Sequence, residues 1–313
     1  MWGIPVNLSS MEYFILLAKE QSFTRAAERL HITQQALSSH IAGVEQELGT
    51  KLLLRRIPLE LTYAGQVFLR YALEIQRKLD AMEQEFSDIA NNQSGVLRIG
   101  VSTTRGHAIM PLLIDQFQQS YPKVSIQLAE RSNDQLRDSL EGGEIDLAIG
   151  NFPAAMPGME VIDFYQEEVV LVLAQKLWEQ VAGPVGPACS SQIEQGDLTP
   201  VRHWPFLQNP RQDIAGRIGS ELLSKAGITP VLKAESYNIE TLLELCARGV
   251  GACFCPENLM RMTLSPEQIS RLKLFHFGGR TRYQIRFAYL KQSYHWKVLS
   301  NFIASSLQYA SAL

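Results

Sequence analysis

Apolar residues near the start of the chain recur every three or four positions, which is the pattern of helices that bury one face. This spacing predicts a first helix over residues 8–18, a shorter second helix over 25–30 and a third over 34–48, which Gly49 ends as a C-terminal cap. A connection of about three residues joins the second and third helices. The pattern predicts a helix-turn-helix, although any small three-helix bundle packs in a similar way.

The outward face of the third predicted helix is polar but uncharged. No Asp, Glu, Lys or Arg occurs from position 33 to position 44, and Gln34, Gln35, Ser38 and Ser39 lie towards the N-terminal end. Glutamine can bond the N6 and N7 atoms of adenine, and serine can bond several base edges. Because a helix-turn-helix contacts bases from the N-terminal end of its second helix, this face predicts DNA reading.

Residues 51–62 predict two short strands around a turn that contains Pro58, which would form a β-wing beside the helices. Lys51, Arg55 and Arg56 are the densest positive charge in this region and suit phosphate or minor-groove contact. Residues 1–63 nevertheless contain six Lys or Arg and six Asp or Glu, so they carry no net charge. Attraction to DNA must therefore come from a local patch.

One uninterrupted helical pattern covers residues 64–91, and its apolar positions follow a heptad-like seam. A helix of this length spans about 40 Å, which favours a dimerisation helix over a core helix of one globular domain. A dimer would also present the paired reading helices that adjacent half-sites require. The predicted dimerisation residues are Phe68, Tyr71, Ile75, Leu79, Met82 and Phe86.

From Gly95 onwards, short β-branched runs alternate with helical stretches, which is typical of an α/β fold. Three strands between residues 96 and 149 alternate with two helices and predict a right-handed parallel sheet. Hydroxyl side chains at 102–104 follow the first strand, at a helix N-terminus where backbone N–H groups can bind a carboxylate or similar anion. Plain N-capping by the same hydroxyls is the alternative.

Composition narrows the possible functions. The chain has 313 residues, 46% of them apolar and 19% charged, which suits two or three globular domains. Its four cysteines lack metal-ligand spacing, and it has no signal-peptide pattern and no run of 18 apolar residues, so we expect a cytoplasmic protein without metal, cofactor or membrane span. It lacks G-x-S-x-G, Walker, H-E-x-x-H and G-x-G-x-x-G motifs, which argues against an enzyme.

The N-terminal region resembles the LysR-type transcriptional regulators. The resemblance rests on Ser22-Phe23-Thr24-Arg25-Ala26-Ala27, Thr33-Gln34-Gln35-Ala36-Leu37-Ser38, Leu48-Gly49 and Leu61-Thr62-Tyr63-Ala64-Gly65. Gln35 stands where the family often has proline, and Leu53 replaces the usual phenylalanine. The α/β remainder has the family's length and order of elements, so the resemblance extends over the whole chain.

The resemblance implies three parts: a winged helix-turn-helix over 1–63, a linker and dimerisation helix over 64–94, and a periplasmic-binding-protein-like effector domain over 95–313. The effector domain would comprise subdomain I, about 95–167 and 269–313, and subdomain II, about 168–268. The predicted DNA-binding residues are Ser22, Thr24, Arg25, Thr33, Gln34, Gln35, Ser38, Ser39, Arg55, Arg56 and Thr62. The predicted effector-binding residues, in the cleft between the subdomains, are Ser102, Thr103, Thr104, Arg105, Phe152, Leu207, Gln208, Arg211 and Phe254.

The implied function is a DNA-binding regulator whose activity is controlled by a small, anionic metabolite. Either Arg105 or Arg211 would neutralise that anion, or each would be a solvated surface charge. The implied partners are double-stranded DNA, the effector, further copies of the chain in a homodimer or homotetramer, and RNA polymerase as an additional candidate. The alternative is a small-molecule-binding protein whose helix-turn-helix serves only assembly.

Overall fold

The computed structural model describes residues 7–54, 56, 58–90, 94–291, 294 and 296–310. The chain divides between residues 92 and 93 into two compact units, the first mainly helical and the second α/β. Among the described residues, no helix combines the length and the apolar character that crossing a membrane requires.

Helices and a two-stranded wing form the first unit. Its elements are α1 (Leu8–Glu20), α2 (Phe23–Arg29), α3 (Gln34–Glu47), β1 (Leu53–Leu54), β2 (Glu60–Leu61) and α4 (Tyr63–Ile89). Gly49 follows α3 with a φ of +65°, the left-handed conformation that commonly ends a helix. The strands β1 and β2 pair antiparallel. The helix-turn-helix and the wing predicted from the sequence are confirmed.

The first unit has an apolar core beneath α1, α2 and α3. Phe14, Leu17, Leu37 and Ile41 are buried there. Phe68 of α4 packs edge-to-face on Phe14, with the ring centroids 4.9 Å apart. Phe68 therefore packs against this core while it stays half-buried, and its place in the dimer seam remains a prediction.

The second unit alternates strands and helices. Its elements are β3 (Gly95–Val101), α5 (Thr103–Ser120), β4 (Val124–Glu130), α6 (Asn133–Glu141), β5 (Leu147–Gly150), β6 (Met159–Ala174), α7 (Gln175–Ala182), α8 (Gly186–Gln195), β7 (Pro205–Gln208), α9 (Ile214–Lys225), β8 (Val231–Glu235), α10 (Ile239–Ala247), β9 (Ala252–Pro256), α11 (Glu257–Thr263), α12 (Pro266–Ser270), β10 (Leu272–Phe275), β11 (Arg282–Leu290) and α13 (Lys297–Ala310). The α/β architecture expected after Gly95 is confirmed.

One sheet runs through the second unit in the order β4-β3-β5-β11-β6-β9-β7-β8, and β10 also pairs with β6. The strand β3 is parallel to both β4 and β5, as the sequence predicts. The strand β6 has 16 residues; its first part pairs with β11, and its second part pairs with β9 and β10. The two subdomains therefore share β6, with β11 on the side of subdomain I and β9 and β10 on the side of subdomain II.

The predicted return to subdomain I at residue 269 is wrong. Leu272 pairs with Ala174 and Phe275 pairs with Leu171, so β10 belongs to subdomain II. The chain returns to subdomain I only with β11. The helix α5 begins at Thr103, which places the hydroxyl cluster at 102–104 in and just before its first turn.

Candidate nucleic-acid interface and ligand site

The N-terminal end of α3 presents an uncharged polar surface. Gln34, Gln35 and Ser39 are exposed and Ser38 is half-buried. The side chains of these four residues form no hydrogen bond with the described part of the chain, so their donors and acceptors face solvent. This arrangement is what direct reading of base edges requires.

Three of the predicted DNA-binding residues cap helices. Ser22 Oγ accepts a hydrogen bond from the Arg25 backbone N–H (3.4 Å) at the start of α2. Thr33 Oγ1 accepts from the Ala36 N–H (3.1 Å) at the start of α3, and Thr62 Oγ1 accepts from the N–H of the third residue after it (3.0 Å) at the start of α4. Each hydroxyl satisfies one backbone donor that the helix itself cannot pair, which gives these residues a structural role.

The wing carries exposed positive charge. Arg56 is exposed and lies 3.9 Å from the Glu60 carboxylate, a weak surface pair that leaves the guanidinium accessible. Lys51 is also exposed and donates to Glu45 Oε2 at 2.7 Å. The prediction for Arg55 lies outside the described residues.

Glu45 of α3 joins this helix to the wing, a role that its sequence position did not indicate. Its side chain is buried, and Oε1 accepts hydrogen bonds from the backbone N–H groups of Leu52 (2.9 Å) and Leu53 (3.3 Å). Burial alone would raise the pKa of the Glu45 carboxyl, but the hydrogen bonds from Lys51, Leu52 and Leu53 hold that pKa below its usual value. A buried carboxylate therefore holds the first wing strand against the polar reading helix.

Thr24 and Arg25 lie at the start of α2, and both are exposed. The Arg25 guanidinium contacts the Glu20 backbone oxygen and lies 3.4 Å from the Glu20 carboxylate. Arg29 also pairs with Glu20, and this hydrogen bond, together with the positive charge of both arginines, lowers the pKa of that carboxyl. Glu20 thus keeps Arg25 near the N-terminus of α2, the end of a helix that favours phosphate.

The seam of α4 leaves large apolar side chains uncovered in a single chain. Tyr71 is 56% exposed, Met82 48% and Phe86 65%, whereas Ile75 and Leu79 are half-buried. Large apolar side chains along one helix favour a contact with another apolar surface. The structure thus leaves all six predicted seam residues at least partly exposed, because Phe68 is half-buried as well.

The hydroxyl cluster after β3 is partly accessible. Thr103 is exposed, whereas Ser102 and Thr104 are half-buried. Ser102 precedes α5 without capping it through its side chain, and its Oγ accepts a hydrogen bond from Arg105 Nη1 at 3.1 Å. The capping alternative is therefore wrong for Ser102.

Arg105 is neither a solvated charge nor a free cation, contrary to both predictions. Its side chain is 4% exposed, and its guanidinium donates to Glu167 Oε2 at 2.8 Å. Tyr165 and Tyr283 also donate to this carboxylate. Burial and the Glu167 charge raise the pKa of both tyrosines, so their hydroxyls stay protonated as donors. The buried cluster neutralises Arg105 internally.

The other predicted effector residues divide between the subdomains. Phe152 is buried in the apolar cluster of subdomain I. Leu207, Gln208 and Phe254 line a small cavity of about 10 Å³ in subdomain II. Gln208 also lines a larger pocket of about 460 Å³, together with the exposed Arg211. The described structure does not bring residues 102–104 or Phe152 into either pocket.

Comparisons with known proteins agree with this arrangement. The sequence model of the bacterial regulatory helix-turn-helix protein, lysR family, matches residues 8–66, and that of the LysR substrate binding domain matches residues 90–311. A probable RuBisCO transcriptional regulator from Cyanidioschyzon merolae is 31% identical over 307 residues, covering 92% of this chain and 97% of the relative.

Solved structures share the fold over nearly the full length. A full-length OxyR variant from Pseudomonas aeruginosa superimposes with a TM-score of 0.71 at 21% identity, covering 97% of this chain and 95% of that one. Full-length CbnR complexed with its target DNA gives a TM-score of 0.61 at 23% identity, covering 97% and 99%. The two family-model matches and the 31%-identical relative show that the chain belongs to the LysR family of DNA-binding transcriptional regulators, with a helix-turn-helix in its first unit and a substrate-binding domain in its second.

Proposed function

We propose that this regulator reads its operator through Gln34, Gln35, Ser38 and Ser39 while Arg25 and Arg56 contact phosphates. The observation that carries the proposal is the face of α3, which is polar, uncharged and without internal hydrogen bonds among the described residues. The N-termini of α2, α3 and α4 supply backbone partial positive charge to the same role. Ser22, Thr33 and Thr62 would contact DNA only with the hydrogen-bonding capacity that their helix-capping bonds leave unused.

The proposal includes a homodimer or homotetramer built through α4. The exposed seam residues supply the apolar surface for that contact, and a dimer doubles the base-reading surface on adjacent half-sites. The cytoplasm is the proposed location, because a regulator of this kind works where its target DNA lies. RNA polymerase is proposed as an additional partner.

A small-molecule effector is proposed to bind at the carboxyl ends of the strands in the second unit. Thr103 is the exposed hydroxyl at that edge, and the backbone N–H groups of the first turn of α5 suit a carboxylate. Binding would shift the two subdomains and change the position of the DNA-binding units.

Footprinting with the full chain on DNA upstream of its own coding region tests the DNA-reading proposal. We expect an inverted repeat to be protected. Replacing Gln35 with alanine should weaken specific binding about fivefold to 150-fold, because a bidentate base contact contributes about 1–3 kcal/mol. Gln46→Ala, at the exposed far end of α3, is the matched control and should bind as the unmodified protein does. Equal losses in both variants would reject Gln35 as a base-reading residue.

A further inference from the structure

His40 lies on α3 at the border between the buried side of the helix and its polar reading face. It follows the buried Leu37 by three positions and the exposed Ser39 by one, and it is itself half-buried. Residues three positions apart lie on the same side of a helix, whereas adjacent residues do not face each other. His40 is thus placed to connect the reading face with the packing beneath it.

The imidazole of His40 contacts the first helix, α1. Its Nε2 atom lies 2.9 Å from Ser10 Oγ, and its ring packs on the ring of Tyr13 with the centroids 4.9 Å apart. Ser10 is 3% exposed, so one partner of this hydrogen bond is withdrawn from water. A hydrogen bond in such a position is electrostatically stronger than the same bond at the surface.

The direction of this hydrogen bond follows from Asn7, the N-terminal cap of α1. Asn7 Oδ1 accepts from the Ser10 backbone N–H (2.8 Å) and from Ser10 Oγ (2.9 Å). An amide oxygen can only accept, so the single hydroxyl hydrogen of Ser10 points to Asn7. We therefore assign His40 Nε2–H as the donor to Ser10 Oγ. The two bonds together, from Asn7 through Ser10 to His40, are called the α1–α3 tie below.

The α1–α3 tie can fix the rotation of the reading helix about its own axis. Leu37, Ile41 and Val44 hold α3 against the core, but apolar contact is non-directional and permits small rotations. A hydrogen bond has a preferred distance and angle, so it selects one of these rotations. Side chains reach about 5–6 Å from a helix axis, and a rotation of roughly 10° therefore moves their ends by about 1 Å. Such a shift is enough to lose a base contact made by Gln35 or Ser39.

We propose that His40 is a positioning residue for base reading: its hydrogen bond to Ser10 fixes the rotation of α3 that brings Gln35 and Ser39 to the base edges. The inference rests on the proposed DNA-reading function and adds a residue that acts through α1 without touching DNA. Binding to any other DNA depends on phosphate contacts, which a small rotation of α3 disturbs less. Loss of the tie should therefore lower the specificity ratio, the affinity for the operator divided by that for a scrambled sequence.

Fluorescence anisotropy with the full chain measures this ratio on the DNA upstream of its own coding region and on a scrambled fragment of equal length. His40→Phe keeps an aromatic ring beside Tyr13 and removes the donor, whereas Ser10→Ala removes the acceptor. We expect each to lower the ratio about fivefold, and the double variant to lower it no further. His40→Gln keeps a side-chain N–H donor and should restore most of the ratio. Ser9→Ala, at the exposed neighbouring serine of α1, is the matched control and should leave the ratio unchanged.

Three outcomes would overturn the positioning role. Unchanged ratios in both His40→Phe and Ser10→Ala would show that the tie does not affect reading. A loss in His40→Phe with an unchanged Ser10→Ala would show that His40 contacts DNA directly. Equal losses of affinity on both fragments would show that the tie only supports folding.

Failure of the proposed function itself would look different in the same experiment. The unmodified protein would then bind the upstream and scrambled fragments equally, which rejects base reading and the positioning role together. An unmodified protein that discriminates between the fragments, with variants that discriminate equally well, rejects the positioning role alone.

Discussion

Replacing Glu45 with alanine should loosen the attachment of the wing to the reading helix. The substitution removes the acceptor for two buried backbone N–H groups, those of Leu52 and Leu53, and the partner of Lys51. Each buried donor left without an acceptor costs about 1–3 kcal/mol, so we expect a loss of about 2–5 kcal/mol. Glu45→Gln keeps an oxygen for the N–H groups and loses the charge, which should cost about 1–2 kcal/mol.

The ion pair itself should contribute little. The Lys51 side chain is 73% exposed, so Lys51→Met should cost no more than about 1 kcal/mol. Because hydrogen bonds lower the pKa of Glu45 in the folded protein, its stabilisation is present above the unfolded-state pKa and is lost as pH falls through the lowered folded-state pKa. The predicted order of destabilisation is therefore Glu45→Ala, then Glu45→Gln, then Lys51→Met.

Hydrogen exchange of the full chain, followed by mass spectrometry on peptides that contain Leu52 and Leu53, measures this effect locally. A loss of about 2 kcal/mol corresponds to about a 30-fold decrease in amide protection. Glu47→Ala, an exposed glutamate on the same helix, is the matched control and should leave protection unchanged. If Lys51→Met lowers protection as much as Glu45→Ala does, the surface ion pair and not the buried carboxylate holds the wing, which would refute the predicted role of Glu45.

Three further predictions follow from other contacts. The pKa of the His107 imidazole should lie above its ordinary value because Glu240 hydrogen-bonds to it. This link from α5 to α10 is therefore present at low pH and lost as pH rises through the raised pKa. NMR titration should show that Glu240→Gln lowers the midpoint of His107, and an unchanged midpoint would contradict the link. Gly65→Ala should destabilise the first unit by about 1–3 kcal/mol or more, because the new Cβ would lie 2.0 Å from the Leu52 carbonyl oxygen. Calorimetric unfolding measures this loss, and an unchanged unfolding temperature would contradict it. Phe86→Ala should weaken self-association about 100-fold, because the two copies of this side chain in a dimer would together lose roughly 3 kcal/mol of hydrophobic stabilisation. Analytical ultracentrifugation measures the dissociation constant, and an unchanged value would show that Phe86 is not part of the seam.

Local sequence patterns predicted the helices and turns that depend mainly on neighbouring residues in the chain. The spacing of apolar residues located α1 and α3 to within a few residues, and Gly49 marked the end of α3 because its left-handed conformation is a property of that position. The sequence also located the exposed polar face, since helical periodicity fixes which side chains point away from the core.

These local patterns did not predict contacts between distant parts of the chain. Arg105 and Glu167 are 62 positions apart, and neither neighbourhood in the sequence shows that one will neutralise the other. Gly65 likewise gives no local sign that the backbone of Leu52 approaches too closely for a side chain. The pocket beside α9 arises from the packing of α9 against the end of β7, which periodicity does not determine.

The continuous strand β6 limits how the sensing unit can respond to a ligand. Because its two parts are hydrogen-bonded into both subdomains, the subdomains cannot swing freely on it as they would on two flexible loops. A rotation of one subdomain against the other must twist β6 near Glu167, where Arg105 and Tyr165 hydrogen-bond to the strand's buried carboxylate. A ligand that rotates one subdomain against the other would therefore have to distort the hydrogen bonds of β6, so an intact sheet is compatible only with small rotations.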